Sequence, residues 1–93
     1  MFKKKRGIKL NYNRQGLIYF TCMNIHKQPR DIQERIMALC DQIAGEDGRA
    51  LFELLTNDRK SVLSVSMEYI VPEKKLYTYR KEFYEKWDRL GNP

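Results

Sequence analysis

From Pro29 to Gly45 the apolar residues fall at helical steps: Ile32, Ile36, Leu39, Cys40 and Ile43 stand at i, i+4, i+7, i+8 and i+11. A 3.6-residue period gathers them into one stripe, which a strand of period 2 cannot reproduce. Asp31 and Glu34 suit the positive end of a helix, and Gly45 suits its stop. The spacing predicts a helix over 30–44.

The pattern then repeats. Glu46, Asp47 and Gly48 reopen a turn, and Ala50, Leu51, Leu54 and Leu55 form a short second stripe that ends at Thr56-Asn57-Asp58. Over 60–70, Val62, Val65, Ser66, Tyr69 and Ile70 share one side, although β-branched residues and serines make this a helix that packing must hold. Pro72 pushes Val71 out of the helical region and itself suits a first helical turn. Leu76, Tyr79, Phe83, Trp87 and Leu90 predict a last helix over 72–89, closed by Gly91-Asn92-Pro93. Ile36, Leu39, Leu51, Leu55, Val65, Leu76, Phe83 and Trp87 are expected in one core.

Residues 8–26 are ambiguous, because GLIYFTCMNI is apolar almost throughout and shows neither period. One reading is a helix over 16–26. The other is a hairpin in which Ile8, Leu10 and Tyr12 alternate, Asn13-Arg14-Gln15-Gly16 turns and Leu17 to Thr21 returns.

A chain of 93 residues has room for one domain. The reading is all-α: a flexible basic arm over 1–14, then a single helical domain of four to five helices over 15–93. No apolar run approaches the roughly 20 residues that span a bilayer, and the basic start leads into no apolar signal core. A cytoplasmic chain with no membrane partner is expected. Cys22 and Cys40 are the only cysteines and read as buried free thiols. With one histidine, no Gly-rich phosphate loop and no Ser/His/Asp set, neither catalysis nor a cofactor or metal is expected.

The net charge of +6 is unevenly laid out. Residues 1–30 hold eight Lys/Arg and no Asp/Glu, 31–58 hold two against seven, and 59–93 hold eight against five. Basic ends around an acidic middle suggest a surface that faces a polyanion, duplex DNA first among them. The plainer reading is solvated charge.

Residues 61–83, SVLSVSMEYIVPEKKLYTYRKEF, fit a DNA-binding helix-turn-helix placed at 60–83. Val65 and Ser66 supply an aliphatic and a small residue for close crossing, Ile70-Val71-Pro72 the turn, and Leu76 and Tyr79 the inward side of the second helix. Two positions depart from the usual pattern. Ile70 is β-branched and is expected to avoid the left-handed turn conformation, and Pro72 has no side-chain oxygen with which to cap a helix.

With RKEFYEKW at 80–87, GLIYFTCMN at 16–24 and LFELLT at 51–56, the stretch resembles small sigma-factor-like helix-turn-helix regulators of phages and integrative or conjugative elements. The resemblance implies a DNA-binding regulator of transcription or recombination in a mobile genetic element. On this reading Glu73, Lys74, Tyr77, Thr78 and Lys81 meet base edges, and Lys3, Lys4, Lys5, Arg6, Arg59, Lys60, Lys75 and Arg80 meet phosphates. Tyr12, Tyr77 and Tyr84 are expected as exposed aromatics, and a homodimer is an expected form. The alternative is a helical adaptor that binds RNA polymerase or an integrase through its acidic middle or aromatic end, without reading DNA. An RNA-binding module has no RNP-like strand or GXXG loop in its favour.

Overall fold

The computed structural model describes residues 2–93. Among them α1 spans Tyr12–Met23, α2 Arg30–Ala44, α3 Gly48–Thr56, α4 Val62–Tyr69 and α5 Glu73–Arg89. Short 3-10 turns at Ile25–Lys27 and Gly45–Asp47 link α1 to α2 and α2 to α3. No strand forms among the described residues, so the chain is all-α and the hairpin reading of 8–26 is excluded.

The local cause lies at Asn11, whose side-chain oxygen accepts the Arg14 N–H at 2.8 Å and caps α1. Asn13-Arg14-Gln15-Gly16 is therefore a first helical turn instead of a hairpin turn. α2 occupies the expected range and stops at Gly45, whose φ of 55° is open to glycine. At Gly48 an added Cβ would sit 3.3 Å from the Asp41 Cα and 3.4 Å from the Cys40 carbonyl oxygen, so α2 and α3 cross closely where the side chain is missing, while the Asp41 carboxylate, 2.6 Å away, is free to swing aside.

The expected single core divides in two. Ile36, Leu39, Leu51, Leu55, Phe83 and Trp87 lie in the larger cluster with Ile18, Cys22, Ile25 and Cys40 from α1, the turn after it and α2. Val65 and Leu76 belong instead to a second cluster, with Ala50, Leu54, Val62 and Val71. α3 is short and central, so its two faces look into different clusters: Leu51 and Leu55 into one, Ala50 and Leu54 into the other. Tyr79 packs against both, and its hydroxyl donates to Asp47 at 2.9 Å. Cys22 and Cys40 are free and buried.

The N-terminal segment departs furthest from expectation. The boundary drawn at 14 falls inside α1, and Phe2 and Ile8, expected in a free arm, are buried. Gln15, with no exposed surface, organises the segment: its Oε1 accepts the Lys5 N–H at 2.8 Å and its Nε2 donates to the Leu10 carbonyl at 3.0 Å. Arg14 fixes the other terminus, reaching Asp88 at 2.5 Å and the carbonyls of Asn92 and Pro93. No helix of the described residues is long and apolar enough to cross a membrane.

Candidate nucleic-acid interface

The second cluster joins three helices around one turn. α4 and α5 meet at Ile70-Val71-Pro72, and Val62, Val65, Val71 and Leu76 are buried on either side of that turn against Ala50 and Leu54 of α3. Ile70 has φ 56° and ψ 51°, the left-handed conformation that its β-branched side chain was expected to avoid. It was also placed on the inward side of α4, yet it is 88% exposed. The turn closes from both directions. The Val71 N–H donates to the Ser66 carbonyl at 3.1 Å and the Ser66 hydroxyl donates to the Val71 carbonyl at 2.5 Å. Such a six-to-one closure needs a left-handed residue where Ile70 stands. Ser66 is thus a turn lock as well as a small residue. Pro72 begins α5 without a side-chain cap, as its chemistry dictates, and Glu73 follows in the first turn.

Beyond the turn the first half of α5 divides cleanly. Leu76 is fully buried, while Glu73, Lys74, Lys75, Tyr77 and Thr78 are exposed. Lys74 and Lys75 have no carboxylate within 4.0 Å among the described residues, and neither has Arg59, which is exposed just before α4. The Thr78 hydroxyl donates to the Lys74 carbonyl at 3.1 Å, which leaves an acceptor lone pair and a methyl group outward.

Other expected contacts are placed differently. Lys81 is half-buried and paired with Glu85 at 3.1 Å, and Glu85, held below its ordinary range by the Lys9 N–H and by Lys81, is settled as that pair's anion. Lys60 is held by Glu68 at 2.6 Å and Glu53 at 3.5 Å. Both cations are already neutralised within the fold. Lys3, Lys4 and Arg6 are exposed on the N-terminal segment, whereas Lys5 and Arg80 are half-buried and line a common cleft. Tyr12 and Tyr77 are half exposed, but Tyr84, expected outside, is 2% exposed and belongs to the larger cluster.

Sequence reasoning also missed an apolar strip on α4. Leu63, Met67 and Ile70 are exposed at i, i+4 and i+7, on the side away from Val62 and Val65. The α4 run VLSVSMEY is apolar on two sides, and spacing alone does not say which side packs. Compared with known families, curated proteins and solved structures, the chain matches none.

Proposed function

We propose that the chain binds double-stranded DNA by laying the first half of α5 in the major groove, and that it regulates transcription or recombination of a mobile genetic element by occupying a site. The observation that carries the reading is the surface beyond the turn: Lys74, Lys75, Tyr77 and Thr78 exposed on a helix whose Leu76 and Phe83 are buried. A groove about 12 Å wide admits one helix, and base edges there distinguish all four pairs. Lys74 donates to guanine O6 or N7. Thr78, its proton committed to the Lys74 carbonyl, offers an acceptor to an adenine or cytosine amino group and a methyl to thymine. Arg59 and Lys75 flank this strip as phosphate contacts. The regulatory setting follows from the family resemblance.

A second reading is favoured by the exposed Leu63, Met67 and Ile70: a helical adaptor that docks on RNA polymerase or an integrase through α4. The aromatic end does not serve it, since Phe83 and Trp87 are fully buried. Selection of bound sequences from a random duplex pool separates the two. Lys74→Ala and Thr78→Ala are expected to change the selected sequence, each lost base contact removing about 1–3 kcal/mol of discrimination. Two folded variants that select the wild-type sequence, or a wild-type chain that selects none, overturn the reading of DNA by α5.

A further inference from the structure

Lys5 and Arg80 meet in a cleft of about 150 Å3 between the N-terminal segment, the α3–α4 connection and α5. The Lys5 ammonium lies 5.5 Å from the ring centroids of Phe2 and Tyr19, and the Arg80 guanidinium 5.2 Å from that of Tyr77. Neither cation has a carboxylate within 4.0 Å among the described residues. Lys60, also in the lining, is neutralised by Glu53 and Glu68, and Asp58 is the one carboxylate of the lining.

Two unpaired cations sharing a partly dehydrated cleft lose hydration and repel one another. Burial first, and the Arg80 charge second, bring the Lys5 ammonium down to about 8. Burial also lowers Arg80 and keeps the buried Tyr84 phenol protonated as a neutral donor. An anion between the two cations relieves both penalties. A planar guanidinium beside a compact ammonium suits the several oxygens of a phosphate.

We propose that this cleft is a phosphate-binding site, with the phosphate held between Lys5 and Arg80 and a hydrogen bond from the Tyr84 hydroxyl. The phosphate belongs either to the backbone of a nucleic acid or to a free phosphorylated small molecule. Binding here does not depend on α5 reading bases, and the Lys74 and Thr78 variants leave the cleft intact. Around Lys5 stand Arg80 and Tyr84 from α5, Tyr19 from α1, and Asp58 and Lys60 from the α3–α4 connection. Because Lys5 binds as the cation, affinity falls as pH rises through about 8, and bound phosphate in turn draws the Lys5 midpoint upward.

The test is an NMR titration of the full chain, carrying labelled lysine Cε, with inorganic phosphate. Saturable shifts at Lys5, an upward move of its midpoint, at least tenfold weaker binding in Arg80→Gln and tighter binding in Asp58→Asn are expected. If Arg80→Gln loses its helical circular dichroism, Lys5→Gln takes its place, read on the Ser61 and Tyr84 amide signals. A short duplex that displaces phosphate assigns the site to backbone phosphate, and one that leaves it bound assigns it to a small molecule. No saturable shift at Lys5, or unchanged affinity in a folded charge-removing variant, overturns the site.

Discussion

Ile70 joins the local chemistry of the chain to its proposed use. A left-handed conformation costs an L-residue about 1–2 kcal/mol, and the Ile70 side chain, 88% exposed, recovers nothing by packing. Replacing it with glycine relieves that strain and adds about 0.5–1 kcal/mol of chain entropy to be lost on folding. Ile70→Gly is therefore expected to stabilise the chain by roughly 0.5–1 kcal/mol and to raise Tm by roughly 2–8 °C in thermal unfolding. A lower Tm in this variant shows that Ile70 packs where it is placed as exposed. The break at Pro72 was legible in the sequence, but the handedness of the turn before it was not. A local penalty of one or two kcal/mol argues against Ile70 there, while burial of Val65, Val71 and Leu76 on both sides outweighs it. That burial is a tertiary fact invisible in a dipeptide preference.

At the scale of elements, stripes with a clean period were readable and segments without one were not. α2 lies where Ile32, Ile36, Leu39, Cys40 and Ile43 place it, and α5 where Leu76, Phe83 and Trp87 do. The N-terminal segment was misread because Lys3, Lys4, Lys5 and Arg6 hide Phe2 and Ile8, which are buried respectively against Tyr12 and Tyr19 of α1 and in the larger cluster, and one side chain of α1 also bonds the segment's backbone. Gln15 is that side chain. Gln15→Ala leaves the Lys5 N–H and the Leu10 carbonyl without their partner, in a place where water enters poorly. A loss of about 1–3 kcal/mol is expected in urea unfolding, with faster hydrogen exchange at the Lys5 amide. Unchanged exchange there would mean that Phe2 and Ile8 hold the segment alone. The candidate site was legible to the same degree: Glu73, Lys74, Lys75, Tyr77 and Thr78 follow from the period of α5. The pairing of Lys60 with Glu53 and Glu68, and the meeting of Lys5 with Arg80, require the fold, whereas Lys81 and Glu85, four residues apart on α5, were readable as a pair and were not read.

Over the whole molecule the fold redistributes the charge that the sequence lays out in blocks. Part of the acidic middle is spent locally, in exposed pairs of Arg30 with Glu34 and of Arg35 with Asp31 that add little stability. Glu53 reaches forward to Lys60, so the start of α4 is less basic than its sequence. What remains unpaired and exposed beside the turn is Arg59, Lys74 and Lys75. In the proposed complex with duplex of random sequence Lys74 has no preferred base, so all three are expected to neutralise phosphate. These three contacts contribute about −2.7 to the expected log–log salt slope, a fall of about fortyfold between about 50 and 200 mM salt, and backbone contacts from the exposed Lys3, Lys4 and Arg6 steepen it further. The most direct measurement is that slope, for the wild-type chain and for Lys74→Ala/Lys75→Ala, by fluorescence anisotropy on a short random duplex. The account predicts a steep wild-type slope that becomes shallower by about 2 in the double variant. A flat wild-type response, or a folded double variant with the wild-type slope, contradicts it.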